Sequence, residues 1–306
     1  MLKYWLDRTG PISMTLSKIL RRAWFGLKTL LGSRNYGYFI PARSARFRRN
    51  TESHSAYPLW EKRFEALGAT QRHWLGVVDS YKIPLQAIDG TQQSAARWQQ
   101  DWFPRLDAAT LYAFIRHFKP RRIVEIGAGH STRFAIQAIE DEGLQTALTV
   151  IDPEPRKEFP TAPNLNWITE PLQDISPEIW NEIDAGDMVS IDSSHVLMPG
   201  SDVDLLLNVI LPSLPAGAMI QVHDIFLPDD YPAEWRWRGY NEQSGWAPFL
   251  AGPATELVIS SRYVTTRMVP AFRQTAIASL PLLAGARETS VWFRIAESKE
   301  PTDEKT

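Results

Sequence analysis

From Arg121 onward the sequence alternates between short, nearly continuous apolar runs and amphipathic stretches, and this alternation constrains the fold most. Runs such as Ile123–Ile126 and Met188–Asp192 predict strands that are buried on both faces. Strands that alternate with helices form a parallel sheet with crossover helices. The predicted strands cover residues 121–126, 146–152, 164–169, 187–192, 216–222, 255–261 and 289–296, and the main predicted helices cover 131–142, 176–183 and 201–213.

The 306 residues allow one large α/β domain with extensions. The chain has no cysteine, which excludes disulfides and thiolate metal sites. It has no apolar run of about 18 residues and no signal peptide, so we expect a cytoplasmic protein without a membrane span. The predicted domains are a basic amphipathic arm (1–50), a helical adapter (51–105), the sheet domain (106–298) and a disordered tail (299–306).

Charge is distributed unevenly along the chain. Residues 1–50 hold eleven Lys and Arg residues against one acid, whereas the rest holds 22 basic and 34 acidic residues. Residues 16–31 predict an amphipathic helix with its apolar residues in one stripe. Three interpretations stay open: the helix packs on its own domain, lies on an anionic membrane, or binds nucleic acid. Phe25 falls on the charged side, which slightly favours a protein partner.

Two loop regions carry further expectations. Asp107 is predicted to be the N-cap of a helix over residues 108–117. Residues 225–253 are dense in aromatic and polar side chains, a composition typical of a substrate cover. An interface patch is the alternative for this second stretch. Its aromatic residues are Tyr231, Trp235, Trp237, Tyr240, Trp246 and Phe249.

The first predicted strand ends in a glycine loop that points to a ligand. In an open parallel sheet, ligands bind at the carboxyl ends of the strands. Gly127 and Gly129 let the backbone approach a ligand closely. Thr132 stands where a dinucleotide fingerprint requires a third glycine, and Glu125 precedes the loop. An acid in this position suits a ligand that carries an ammonium and a sulfonium group.

The following strand ends supply more acids. Asp152 ends the second strand, where a carboxylate can accept both hydroxyl groups of a ribose. Asp174 follows the third strand, and we expect it to contact an adenine amino group. Alternatively, either residue is an acid in a solvated loop without a binding role.

The fourth and fifth strands end in a potential acid–base cluster. Asp192, His223 and Asp224 are predicted to meet in one cleft, where two carboxylates and an imidazole suit Mg²⁺ or Mn²⁺. His195, three residues after Asp192, is the predicted general base. Otherwise Asp192 serves as a loop cap and His223 bonds to backbone.

Residues 121–224 resemble class I S-adenosylmethionine (SAM)-dependent methyltransferases. Longer motifs are similar to a bacterial group of methyltransferase domains, and the similarity runs from about Tyr36 to Phe293. These motifs are Gly129-His-Ser-Thr-Arg-Phe134, Ile151-Asp-Pro-Glu-Pro-Arg156, Ile191-Asp-Ser-Ser-His195 and His223-Asp-Ile-Phe-Leu-Pro-Asp-Asp-Tyr-Pro232.

The resemblance implies a Rossmann-like seven-stranded sheet of order 3-2-1-4-5-7-6 with an antiparallel last strand. Metal-dependent relatives place acids where Asp192 and Asp224 stand, whereas His223 departs from their pattern. The catechol enzymes carry a lysine base at the position of His195. The implied cofactor is SAM, with Mg²⁺ or Mn²⁺ as an additional ion. The residues expected to bind SAM are Glu125, Gly127, Gly129, Ser131, Asp152 and Asp174.

Three functions remain open at this point. The first is O-methylation of a small molecule, sugar or glycan precursor, with Asp192 and His195 as the catalytic residues. The second is a methyltransferase-fold scaffold without activity. The third is methylation of protein or nucleic acid through the basic arm, although no amine-binding motif follows the fifth strand and a nucleic-acid partner is not favoured. Peripheral membrane contact through residues 16–31 and a homo-oligomer are further expectations.

Overall fold

The structure is a computed structural model that describes residues 16–32, 36–37, 57–90, 95–155 and 162–297. The chain divides into two units. The small unit comprises residues up to 54 together with 232–237, and the large unit comprises residues 55–231 and those from 238 onward. The predicted tail at 299–306 and most of the predicted arm lie outside the described residues.

The large unit is built on one seven-stranded sheet of order β3-β2-β1-β4-β5-β7-β6. Its central strands are parallel, and β7 runs antiparallel to both β5 and β6. This topology confirms the predicted fold class. The strands are β1 (Arg122–Ile126), β2 (Ala147–Ile151), β3 (Leu165–Ile168), β4 (Met188–Ile191), β5 (Met219–Val222), β6 (Thr255–Ser260) and β7 (Val291–Ile295).

Helices accompany the sheet and share its hydrophobic core. Every residue of β4 and β5 is buried, as their apolar sequences predict. In the large unit the helices are α2 (Pro58–Ala66), α3 (Gly68–Ser80), α4 (Lys82–Ala87), α5 (Arg105–Phe118), α6 (His130–Glu142), α7 (Glu178–Asn181), α8 (Asp202–Leu205), α9 (Leu211–Ser213), α10 (Gln243–Ala251), α11 (Ser261–Arg267) and α12 (Val269–Arg273). A wider π-helical turn, Leu206–Ile210, joins α8 to α9, so the predicted helix over 201–213 is present but not uniform.

The helices before the sheet pack on its β6 side. Trp60, Phe64 and Leu75 belong to the same core cluster as the strands. The buried side chain of Gln71 on α3 joins the two layers, because its Oε1 accepts from the backbone N–H of Ser260 (3.1 Å) and its Nε2 donates to the carbonyl of Phe64 (3.2 Å). The helices of this segment are therefore fixed to the sheet by both apolar and polar contacts.

The predicted N-cap role of Asp107 is wrong. Helix α5 begins at Arg105, two residues earlier, and the carboxylate of Glu288 accepts from the backbone N–H of Leu106 (2.9 Å) at its start. The fully buried Asp107 carboxylate instead accepts from the backbone N–H groups of Thr289 and Ser290, both at 2.9 Å. An acid supplied from 182 residues away satisfies the helix terminus, and no local pattern signals such a cap.

The small unit contains helix α1 (Leu16–Leu30), which confirms the predicted helix over 16–31. Gly32 follows it with φ of 69°, a left-handed conformation that suits a glycine after a helix end. None of the helices in the described part of the chain combines the length and the apolar character needed to cross a membrane.

Candidate active site

The glycine loop after β1 lies against the end of β4. The N–H of Gly127 donates to the carbonyl of Ile151 (2.9 Å), and its φ of 83° is left-handed. A Cβ at this position would collide with the backbone oxygen of Asp192, so only glycine fits. A Cβ at Gly129 would meet nothing within 4 Å, and α6 begins at the next residue, His130. The loop thus joins the first strand end to the fourth and leaves one side open.

Glu125 is a buried carboxylate with no partner at hydrogen-bond geometry among the described residues. It is 2% exposed, and both of its oxygens are unsatisfied. Burial raises the pKa of Glu125 to about 7, and the hydroxyl groups of Ser131 and Thr132 oppose this shift only in part. An unpaired buried carboxylate is costly unless a cation reaches it. The predicted contact of Glu125 with SAM stays a prediction.

Asp152 lies directly after β2 and closes the glycine loop. Its Oδ2 accepts from the N–H of Ala128 (2.9 Å), and its Oδ1 accepts from the N–H of Glu154 (2.8 Å). Each carboxylate oxygen keeps a lone pair for a ribose hydroxyl. Ser131 is buried in the first turn of α6. Asp174 is exposed at the end of a 3₁₀ turn, and its predicted contact with adenine stays a prediction.

The structure brings Asp192, His195, His223 and Asp224 together at the ends of β4 and β5. His195 Nε2 lies 3.2 Å from Asp192 Oδ1 and 3.6 Å from Asp224 Oδ2. His223 Nδ1 lies 3.5 Å from Asp192 Oδ1 and 3.6 Å from Asp224 Oδ1. One donor atom each from Asp192, His223 and Asp224 falls within a mutual distance of 4.8 Å. The predicted cluster therefore exists as a geometric fact, whereas its chemical roles stay predictions.

Two buried acids that were not predicted to belong to the site contact the histidines. Glu242 is fully buried, and its Oε1 lies 2.6 Å from His195 Nδ1. Its Oε2 accepts from Trp246 Nε1 (3.0 Å) and Ser193 Oγ (3.1 Å). His195 Nδ1 therefore donates to Glu242 Oε1, and the ring turns Nε2 towards the two aspartates. On the other side, Asp107 Oδ2 lies 3.4 Å from His223 Nε2.

The carboxylates dominate the electrostatics of the cluster. Burial opposes the charge on both imidazoles, but the surrounding acids outweigh it and raise the pKa of His195 and of His223 well above the usual value. Burial alone would raise the pKa of Asp192, but the two histidines outweigh it and hold this pKa well below the usual range. Burial raises the pKa of Asp224. The Asp192 side chain, with 38% of its area exposed, opens the cluster to solvent.

Backbone strain marks the same place. Among the described residues, four that are not glycine have positive φ, and two of them are His195 (62°) and Asp224 (58°). A left-handed conformation costs a side-chain-bearing residue about 1–2 kcal/mol. Such strain concentrates at functional sites, where the fold fixes it. Backbone N–H groups of Asn241 and Glu242 hold the strained loop by donating to the carbonyl of His195, at 3.1 and 3.3 Å.

The predicted cover over 225–253 is only partly a loop. Trp246 is fully buried in α10 and belongs to the core, so its assignment to a cover is wrong. Asp229 pairs with Arg262 and Arg267, both at 2.6 Å. Tyr240 does lie at the site, since its ring centroid is 4.3 Å from that of His195. The stretch therefore supplies one aromatic wall of the cluster and part of the core.

Comparisons with known proteins give one family match and one sequence relative. Residues 124–225 match the sequence profile of a family described as a methyltransferase domain. An uncharacterised protein of Archaeoglobus fulgidus is 36% identical over 80 residues, which are 24% of this chain and 35% of that protein. The match thus spans about a third of the length of that relative.

The solved structures to which the chain is similar include two that hold S-adenosylhomocysteine (SAH), the demethylated product of SAM. The SAH-bound methyltransferase PaMTH1 of Podospora anserina is 13% identical with a TM-score of 0.40, over 85% of this chain and 100% of its own. An O-methyltransferase from Bacillus cereus in complex with SAH is 12% identical with a TM-score of 0.38, over 71% of this chain and 90% of its own.

Proposed function

We propose that this chain, which carries a class I methyltransferase domain, is an active SAM-dependent enzyme that methylates a hydroxyl oxygen of a small molecule, sugar or glycan precursor. One observation carries the proposal. The imidazole of His195 is oriented by Glu242 towards Asp192, whose backbone contacts the glycine loop that would hold SAM. An imidazole that can exchange a proton therefore lies directly beside the cofactor cleft.

Oxygen is the acceptor that this arrangement suits. A hydroxyl group is a weak nucleophile until a base takes its proton, and an imidazole does so when one of its ring nitrogens carries no proton. Because the acids of the cluster raise the pKa of His195, this form of His195 is favoured at alkaline pH or when a bound cation offsets their charge. In our account, His195 Nε2 would receive the proton of the acceptor hydroxyl. The oxygen would then bond to the methyl group that SAM supplies, the methyl–sulfur bond would break, and SAH would leave. Glu242 would stabilise the resulting imidazolium through Nδ1, as the buried aspartate of a Ser-His-Asp triad does for its histidine.

A divalent cation, Mg²⁺ or Mn²⁺, is the second part of the proposal. Asp192, His223 and Asp224 would hold it, and the oxygen donors of the two aspartates suit such ions. Asp107 behind His223 and the Thr289 hydroxyl group, which donates to Asp224 at 3.2 Å, provide the outer support that metal ligands commonly have. A bound cation lowers the pKa of a coordinated hydroxyl group and so favours its ionised form.

Methyl transfer is tested with the full-length protein, SAM labelled in its methyl group, and a panel of catechols, free sugars and nucleotide-linked sugars. We expect label to appear on an acceptor oxygen. His195→Gln is expected to lower turnover by about 10²–10⁴-fold, the usual contribution of a general base, while SAM affinity stays unchanged. The matched control is His73→Gln, because His73 is exposed on α3. Label on nitrogen, or full turnover in His195→Gln, would contradict the proposed chemistry.

The cation is tested without turnover. Titration of Mn²⁺ into the metal-stripped protein, followed by calorimetry and electron paramagnetic resonance, is expected to show one site. Asp224→Asn should remove it, whereas Asp174→Asn, at an exposed acid outside the cluster, should leave it intact. Equal binding by both variants would place the ion elsewhere.

A further inference from the structure

The apolar side of α1 is exposed to solvent. Leu20, Trp24, Leu27 and Leu31 recur at spacings of three and four residues, so they share one stripe about 60° wide. They are 62%, 54%, 49% and 73% exposed, respectively. Isolated apolar side chains are ordinary on protein surfaces, but a contiguous stripe of this kind marks a binding surface.

The one feature that favoured a protein partner for α1 is explained within the small unit. The ring of Phe25, on the opposite side from the stripe, stacks on Tyr36 with centroids 4.5 Å apart and planes 9° from parallel. The Thr29 hydroxyl group fixes this contact, since it accepts from the N–H of Tyr36 (3.0 Å) and donates to the carbonyl of Phe25 (2.9 Å). Phe25 therefore has its aromatic partner, and only the stripe still lacks one among the described residues.

Positive charge borders the stripe. Lys28 Nζ lies 4.8 Å from the centroid of the Trp24 ring, and Arg21 Cζ lies 5.2 Å from that of Phe25. These cations belong to the segment 1–50, in which eleven basic residues face one acid. An apolar stripe with flanking basic residues is the pattern of helices that lie in a membrane interface, where the apolar side chains enter the acyl boundary and the cations meet anionic headgroups.

From this exposed stripe and its basic flank, we propose that α1 docks the protein on an anionic lipid surface. Leu20, Trp24, Leu27 and Leu31 insert, and Arg21 and Lys28 bind lipid phosphate groups. The helix lies along the surface and does not cross it. This docking is independent of methyl transfer, because no residue of α1 belongs to the candidate active site.

The test is co-sedimentation of the full-length protein with vesicles of phosphatidylglycerol and phosphatidylcholine, and with vesicles of phosphatidylcholine alone. We expect binding to the anionic vesicles, a strong preference over the neutral ones, and weakening as salt is raised. Leu20→Ser and Leu27→Ser should each weaken binding by about tenfold, since each removes a buried leucine from the lipid-bound state. The matched controls are Leu59→Ser and Ile83→Ser, at residues that are 80% and 76% exposed in the large unit and should leave binding unchanged.

Melting temperature and molar mass in solution separate other occupants of the stripe. For an exposed stripe, the Leu20→Ser/Leu27→Ser double variant keeps the wild-type melting temperature, mass and SAM affinity. A large fall in melting temperature would mean that the stripe packs on its own chain, and loss of a dimer would assign it to a second copy. Either result, or equal sedimentation with both kinds of vesicle, would overturn the proposal.

Discussion

Replacement of Glu125 by Gln is expected to stabilise the cofactor-free protein and to weaken SAM binding. The carboxyl group is buried, neither oxygen has a partner at hydrogen-bond geometry among the described residues, and its pKa is raised from 4.5 to about 7. Below pH 4.5 the group is protonated in both the folded and the unfolded chain. Between pH 4.5 and 7 the unfolded chain loses the proton while the folded chain keeps it, so wild-type stability falls as the pH rises. Above pH 7 the loss is complete.

The size of this effect follows from the pKa shift. A shift of about 2.5 units corresponds to about 3 kcal/mol, at about 1.4 kcal/mol per unit. The free energy of unfolding of Glu125→Gln should therefore gain about 2–3 kcal/mol on the wild type between pH 5 and pH 8. The same variant loses a charge-assisted contact with the SAM ammonium group, and its affinity for SAM should fall by about 10–100-fold.

Urea denaturation at a series of pH values measures the first effect, and calorimetry measures the second. Glu178→Gln is the control, because it makes the same substitution at an exposed carboxylate on α7, outside the residues expected to bind SAM. A stability difference between Glu125→Gln and wild type that does not change between pH 5 and pH 8 would refute the reasoning. So would unchanged SAM affinity in the variant.

Two other substitutions test parts of the same account. Glu242→Gln should lower turnover by about 10–10³-fold with unchanged SAM affinity, because it removes the carboxylate that orients His195. Glu242→Asp should recover part of the lost turnover. Equal turnover in Glu242→Gln and the wild type would contradict this role. Asp229→Asn should cost about 2 kcal/mol at pH 7 by urea denaturation, since Arg262 and Arg267 lose the charge that they share, although Arg267 keeps Glu61. Burial opposes the Asp229 charge, but the arginines prevail and lower its pKa, so this stabilisation disappears as the pH falls into the acid range.

The sheet could be predicted from the sequence because its signals are local. Strands β4 and β5 consist of consecutive buried residues. Asp192 comes directly after β4 and Asp224 two residues after β5, so both acids lie at the same edge of the sheet. The role of Gly127 could also be predicted, because a glycine loop after the first strand allows a close backbone approach. The structure shows that only a residue without Cβ fits beside Asp192. These inferences need the period of the apolar residues and one rule of α/β topology.

The supporting acids could not be predicted, because their partners are distant in the sequence. Glu242 lies 47 residues after His195, in a stretch whose density of aromatic residues suggested a cover. Asp107 resembles a helix cap by position, yet its partners are the backbone groups of Thr289 and Ser290. Only the packing of α5 and α10 against the sheet brings these carboxylates to the site. The sequence does hold one signal for Glu242. Trp246 follows it by four residues, a spacing that places both side chains on the same face of a helix.

The central claim is that the cleft between the glycine loop and Asp152 binds SAM, and calorimetric titration of SAM into the full-length protein tests it most directly. The account predicts a dissociation constant in the low-micromolar range, about −8 kcal/mol. Asp152→Ala should weaken it by about 1.5–3 kcal/mol, because charge-assisted bonds to the ribose are lost. Asp152→Asn, which keeps an acceptor for the backbone N–H of Ala128, separates ribose binding from loop closure. The absence of binding heat in the wild-type protein, or equal affinity in wild type and Asp152→Ala, would contradict the claim.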